Sequence, residues 1–256
     1  MDAKALFLDL SGVLYEGDSV IDGAPEAVEA ARDRGLELRF VTNTATKSHE
    51  AIESKLKQMG MDVREGELFT APQAAKSYLQ KHRLRPFCLI HREIQDEFED
   101  LDQDSPNAVL LGDAREQLHY DSLNKAFRIC HEGGPLIGIG LNRYFKDENG
   151  LNLDAGPFIR ALEWAAETEA VVTGKPSRTF FEQVVGSTSC DAGSCLMVGD
   201  DAESDVVAAI EAGLQGCLVR TGKYQEADES KLPAAAAVVD SVAELMEQWE
   251  SLETGE

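Results

Sequence analysis

Four stretches of the 256-residue chain end in groups able to do chemistry: Asp9 with Ser11, Thr42 with Asn43, Lys175 after Gly174, and Asp200 with Asp201 and Asp205. Each follows an apolar run, as in Ala5-Leu6-Phe7-Leu8 before Asp9 and Leu196-Met197-Val198 before Asp200. An apolar run that stops at a charge is how a buried parallel strand delivers a reactive group to the edge of its sheet. Two carboxylates brought together there, Asp9 and Asp200, repel unless a cation sits between them. Donors that are all oxygen suit a hard ion such as Mg²⁺. A lysine and a hydroxyl beside such an ion suit a phosphoryl group, whose charge spreads over three oxygens during transfer. Asp9 then serves either as a pure ligand or as the nucleophile that attacks phosphorus.

Taken singly, each group has an ordinary explanation. Asp9 can close a turn, Thr42-Asn43-Thr44 can cap the next helix, and Lys175 can be a surface lysine at a helix start. Asp201 and Asp205 are favoured near a helix N-terminus by its dipole. Their recurrence in this order, each at a strand end, points to a phosphoryl site.

The elements that must position these groups follow from periodicity. The spacing predicts a helix over 24–34 stopped by Gly35, a buried strand over 36–41, and a helix over 48–59 stopped by Gly60. Strand, helix, strand, helix implies parallel strands joined by right-handed crossovers. A helix over 71–81 follows, and then a second alternating series. Its strands are 87–91, 108–111 and 136–139, its helices 95–101 and 122–131, and it closes on a hairpin over 144–153 about Asn149-Gly150. Asn142, Arg143 and Lys146 lie in the loop leading into that hairpin, within reach of an anionic substrate, and Arg143 and Lys146 read equally well as surface charges. The first style resumes with strands over 170–173, 195–199, 216–220 and 238–239 and helices over 178–185, 203–212 and 242–249. The expected fold is α/β: a doubly wound, parallel, Rossmann-like core of residues 1–83 and 172–256, with a smaller α/β domain of residues 84–171 inserted.

Bulk properties narrow the function classes. A composition that is 43% hydrophobic and 28% charged is that of an ordinary globular protein. The net charge of −23 argues against nucleic acid or an anionic membrane surface as partner. It fits plain solubility and also a saline cell interior. Any anionic substrate then needs local positive charge, from a metal or a lysine. The five cysteines are scattered and never spaced as a metal clip, which suits reduced thiols buried as small hydrophobes. Met1-Asp2-Ala3-Lys4 leads into the first strand without an export signal, and no apolar run reaches membrane-spanning length. A cytoplasmic protein is the expectation.

Asp9-Leu10-Ser11-Gly12 with Val13-Leu14 behind it, Val41-Thr42-Asn43, Gly174-Lys175-Pro176-Ser177 and Gly199-Asp200-Asp201 with a later Asp resemble the four motifs of the haloacid dehalogenase superfamily of phosphohydrolases, in order. The insertion resembles that superfamily's large α/β cap of the second type, as in subfamily IIA. The resemblance implies Asp9 as nucleophile and Mg²⁺ ligand, with a backbone carbonyl of Ser11 and carboxylates of Asp200 and Asp205 around the metal. It implies Asp201 in support behind these ligands, Thr42 and Asn43 on the phosphoryl group, and Lys175 neutralising both that group and Asp9. It also implies a small phosphorylated substrate or phosphoamino acid, and a homodimer formed through the cap.

One departure matters. The superfamily usually carries a second Asp two residues after the nucleophile, as general acid and base, and here that place is Ser11. Such proton transfer is typically worth about 10²–10⁴ in rate. Labile donors such as phosphoramidates or pyrophosphate, which leave with less acid help than an alkoxide, become the favoured substrates. The competing reading is a regulatory module that binds a phosphorylated ligand without turnover. A receiver domain of two-component signalling also sets an Asp, a Thr and a Lys around Mg²⁺, but it is much shorter and has no insertion.

Overall fold

The computed structural model describes residues 3–147 and 150–254. The chain opens with strand β1 (Ala5–Asp9), the short hairpin β2 (Tyr15–Glu16) and β3 (Ser19–Val20), helix α1 (Ala24–Asp33), β4 (Glu37–Thr42), α2 (His49–Gln58), β5 (Leu68–Thr70) and α3 (Ala71–Lys81). It continues through β6 (Pro86–Leu89), β7 (Ala108–Leu111), α4 (Tyr120–His131), β8 (Leu136–Gly138), β9 (Tyr144–Asp147), β10 (Gly150–Leu153), α5 (Ala155–Ala166) and β11 (Val171–Val172). It closes with α6 (Arg178–Gly186), β12 (Cys195–Gly199), α7 (Ala208–Glu211), β13 (Gln215–Val219), β14 (Ala237–Val239) and α8 (Val242–Thr254). The chain divides into two compact units.

The first unit comprises Met1–Thr42, Glu53–Phe69 and Lys175–Glu256. Its main sheet has the order β14-β13-β12-β1-β4-β5. The pairs β13–β14, β12–β13, β1–β12 and β1–β4 are all parallel. From β1 the order runs outward both ways, so β1 and β12 flank the topological switch point of a doubly wound sheet. Leu6, Phe7 and Leu8 are fully buried, and Phe180 packs edge-on against Phe69 with ring centroids 5.5 Å apart. Helix α1 forms because Gly23 turns the chain at φ +77°, Pro25 fits the first turn, and Ala24, Ala27, Val28 and Ala31 recur on one buried face.

At its C-terminal turn, Arg32 holds Glu67 through two bonds of 2.6 Å, with side chains only 6% and 12% exposed. Burial works against the Glu67 carboxylate, but the Arg32 bonds and the Arg64 N–H outweigh it and hold its pKa below the usual range. A depressed pKa contributes stability above the unfolded value, lost as pH falls through the folded one. Glu67→Gln is therefore expected to cost about 2 kcal/mol at neutral pH. Urea unfolding at several pH values should show the gap from the parent closing in acid; a gap that stays constant with pH would remove the ionic account.

The second unit comprises Asn43–Ile52 and Thr70–Gly174. Its parallel sheet has the order β11-β8-β7-β6. Ala71, Ala75 and Leu79 of α3 share an apolar cluster with Ile90, Ile94, Phe98, Leu110 and Ile137. The opposite cluster joins Leu89, Val109 and Leu111 to Ala126 and Ile159. Compactness thus groups α3 with this sheet, although its sequence reads as a continuation of the first one. A helix face of alanines and a leucine suits either sheet, and only packing decides between them. Strands β9 and β10 pair antiparallel as expected, with Asp147 opposite Gly150; the expected turn at Asn149 lies outside the described residues.

Some local expectations fail for identifiable reasons. The helix expected over 95–101 is two short 3₁₀ turns, Arg92–Ile94 and Asp96–Phe98, which bury Ile94 and Phe98 in a stretch whose Asp96, Asp100, Asp102 and Asp104 are weak helix formers. The helix expected from 203 begins instead with a wide π-type turn, Ala202–Val207, before α7. Hairpin β2–β3 and the three-residue β5 are too short for periodicity to reveal. Helix α5, with Ile159 and Leu162 buried, follows its Asp154 cap directly after the hairpin. All five cysteines are free, and burial pushes the thiols of Cys88 and Cys217 up to about 12.

Candidate active site

Asp9 is the last residue of β1 and Asp200 the first after β12, so neighbouring parallel strands carry them to the same sheet edge. Lys175 precedes α6, and its Nζ lies 2.8 Å from Asp9 Oδ1 and 2.7 Å from Asp205 Oδ1. Asp9, Asp200, Asp205 and Lys175 are 8%, 3%, 1% and 4% exposed, so water screens this cluster little. Burial alone disfavours the Lys175 ammonium, but Asp205 and Asp9 reverse that and raise its pKa above the ordinary value. Burial raises the pKa of Asp205 against the opposing pull of Lys175.

The wide turn after β12 has a visible consequence. Asp201 caps it by accepting from the N–H groups of Glu203 at 3.0 Å and Ser204 at 2.8 Å, and Asp205 Oδ2 accepts from the N–H of Asp201 at 3.2 Å. One turn thus aims Asp205 back at Lys175, a use of π geometry common at functional sites. Burial opposes the Asp201 charge, but the Ser204 N–H and Lys223 overcome it and bring the carboxyl down to about 2.

Asp200 is the most perturbed carboxylate: burial first, then Asp9 and Asp205 against the pull of Lys223, push it up to about 7. Its Oδ2 accepts from the Lys223 N–H at 2.9 Å, while its Oδ1 is buried without a hydrogen-bond partner. One oxygen from each of Asp9, Asp200 and Asp205 lies within 4.8 Å of the others. Three buried carboxylates with an orphaned oxygen are a hard donor set short of positive charge, and Mg²⁺ fits it.

Sequence reasoning missed several residues here. Gly12 at φ +85° and Gly222 at φ +68° close on Asp200 so tightly that a Cβ would come within 2.1 Å and 2.3 Å of its Oδ2. Lys223 Nζ is 2.9 Å from Asp201 and 3.8 Å from the orphaned Asp200 Oδ1. Thr221 donates its hydroxyl to the Gly12 carbonyl, and Glu16 accepts from the Gly222 N–H at 2.7 Å. The available signal was Thr221-Gly222-Lys223 at the end of β13, the strand beside β12.

The remaining expected residues are less gathered. Thr42 is buried at the end of β4, one residue beyond Val41, the register partner of Asp9. Asn43 belongs to the second unit, where a Cβ on Gly174 would meet its Oδ1 at 2.6 Å. Ser11 is exposed and bridges to Tyr15. Asn142 and Arg143 are exposed; Lys146 lies within β9, its side chain outside what is described.

Two family models match the chain, haloacid dehalogenase-like hydrolase over residues 6–104 and HAD-hydrolase-like over 172–245. Haloacid dehalogenase-like hydrolase domain-containing protein 2 from Bos taurus is 42% identical over 232 residues, spanning 91% of this chain and 90% of that protein. Phospholysine phosphohistidine inorganic pyrophosphate phosphatase from Xenopus laevis is 43% identical over 236 residues, spanning 88% and 86%. Among solved structures, p-nitrophenyl phosphatase from Archaeoglobus fulgidus superposes with a TM-score of 0.88 at 25% identity, covering 97% of this chain and all of that one. NagD from E. coli K-12 shares the fold, with a TM-score of 0.84 at 21% identity and coverage of 95% and 98%. With all six strands of the main sheet represented in the matched segments and near-whole-length relatives above 40% identity, the chain belongs to the haloacid dehalogenase-like hydrolases.

Proposed function

We propose that the chain is a Mg²⁺-dependent phosphatase acting through an aspartyl-phosphate at Asp9. The observation that carries this is the buried group of Asp9, Lys175, Asp200 and Asp205 at the switch point of the sheet, with one carboxylate oxygen lacking a hydrogen-bond partner. Asp9, Asp200, Asp205 and the Ser11 carbonyl would hold the metal, and Asp201 would steady the turn that carries Asp205. Bound there, Mg²⁺ supplies positive charge for the phosphoryl oxygens. Lys175 neutralises Asp9 in the resting site and meets the phosphoryl charge beside Thr42. A carboxylate oxygen of Asp9 attacks phosphorus, the bond from phosphorus to the leaving group breaks, and that group takes its proton from solvent. Water then attacks the same phosphorus and releases phosphate, restoring the Asp9 carboxylate.

On this reading the catalytic core is residues 1–83 and 172–256 and the substrate-selecting cap 84–171, except that α3 and β11, read from sequence with the core, group with the second unit; Asn142 and Arg143 are among the cap's polar groups. The enzyme would be cytoplasmic, in keeping with five free thiols, and would pair through the cap. Among the described residues no helix is long and apolar enough to cross a membrane.

Ser11 shapes the substrate. A serine hydroxyl is no stronger an acid than the alcohol that must leave, so it gives an alkoxide no useful proton, and phosphoramidates and pyrophosphate, the compounds after which the Xenopus laevis phosphatase is named, are the favoured class. Ser11→Asp is expected to raise hydrolysis of alkyl phosphomonoesters by roughly tenfold to a hundredfold, and that of pyrophosphate far less. Equal gains on both would remove the general-acid argument. The reading as a whole is tested by phosphate release from p-nitrophenyl phosphate, pyrophosphate and imidodiphosphate with Mg²⁺ and with chelator. Release that ignores the metal would overturn it. Saturable binding of all three without release would select the regulatory module instead, which the serine at position 11 also permits.

A further inference from the structure

The second unit holds a polar cluster that the phosphatase reading does not use. Its strands run parallel, and the carboxyl edge of such a sheet is where open α/β folds bind ligands. His91 stands just beyond β6, and Asp113 and Arg115 just beyond β7. Asp113 is only 7% exposed, and Arg115 Nε lies 2.9 Å from its Oδ2. The Arg115 guanidinium sits 4.1 Å from the ring centroid of Phe145 in β9. Asp154 and His91 are close enough to act electrostatically on Asp113.

Neutralising Asp113 does not by itself explain how Arg115 is built. Its backbone is left-handed at φ +49°, a conformation that a side chain other than glycine adopts only when its surroundings enforce it. The contact with Asp113 uses Nε, and the ring of Phe145 supports the flat guanidinium. The two terminal nitrogens keep no hydrogen-bond partner among the described residues, and the side chain is 36% exposed. A guanidinium anchored behind, stacked on an aromatic face and open at its paired nitrogens is a preorganised clamp for a planar anion.

We propose that Arg115, fixed by Asp113 and Phe145, binds the carboxylate of a small organic acid at the carboxyl edge of the second sheet. A carboxylate is favoured over a phosphate dianion because the guanidinium already shares its charge with Asp113. Asp154 adds a second negative group nearby, so a planar carboxylate group, which brings one charge to the clamp, is matched better than a phosphate dianion. The proposal is independent of the role given to Asp9.

The test is isothermal titration of the full chain, in chelator, with succinate in one arm and inorganic phosphate in the other. Succinate should saturate the parent, and its affinity should fall roughly tenfold or more in Arg115→Met and in Arg115→Lys, which keeps the charge but loses the fork. Phosphate binding should be unchanged by either substitution. Carbon-detected aromatic spectra should show the Phe145 and His91 rings shifting with succinate in the parent only. No saturable succinate binding, equal succinate affinity in the variants, or loss of phosphate rather than succinate would each overturn the proposal. Arg115→Lys keeps a cation beside Asp113, so the outcome does not hang on whether Arg115→Met folds.

Discussion

Asp9→Asn is expected to lower phosphate release by about four orders of magnitude or more, as removal of a nucleophile does in other covalent hydrolases. Asparagine keeps the shape of the side chain at the end of β1 but offers no anionic oxygen to phosphorus. It also takes one negative charge out of a cluster in which Asp9, Asp200 and Asp205 crowd within 4.8 Å. Melting of the variant should therefore match or exceed that of the parent, which separates lost chemistry from lost fold. Phosphate release from p-nitrophenyl phosphate and pyrophosphate at saturating Mg²⁺ makes the measurement. Turnover within tenfold of the parent would exclude Asp9 as the nucleophile and leave it a ligand.

Lys175→Met is expected to abolish activity and to destabilise the first unit by about 3–5 kcal/mol, the usual cost of removing one partner from a buried ion pair. Lys175 stands between two carboxylates at 2.8 Å and 2.7 Å and is almost wholly buried, so its removal leaves Asp9 and Asp205 without their shared cation. The melting midpoint should fall by roughly 10 °C. Adding Asp205→Asn to Lys175→Met should restore much of the stability while leaving the enzyme inactive, because the residues couple directly. A stability loss under about 1 kcal/mol would mean that solvent already screens the pair as at a surface, and the burial argument would fail.

The contrast between Ser11 and Lys223 shows how far the chain can be read without its fold. Ser11 was legible as a departure because its place, two residues after Asp9, is a matter of spacing within one strand and turn. Lys223 was not, because what makes it matter is that β13 lies beside β12, which brings a loop 23 residues away in sequence onto Asp200. The roles of Gly12 and Gly222 depend on the same closure, because their lack of a Cβ is what allows the chain to close on that carboxylate. The π turn at Ala202–Val207 was unreadable because its width depends on Asp205 reaching Lys175.

By itself, the sequence determined most of the alternation of strands and helices, the strand ends that carry Asp9, Thr42 and Asp200, and hence the family; the strand read before Lys175 is β11, which pairs in the second sheet instead. Those features are local, written in apolar periodicity and in residue type at a strand's last position. The tertiary structure alone decided that α3 packs with the second sheet, that one oxygen of Asp200 is buried without a hydrogen-bond partner, and that Arg115 is clamped between Asp113 and Phe145. Each of these depends on contacts between segments far apart in the chain, where packing and burial set the energy and no single stretch of residues records the partner.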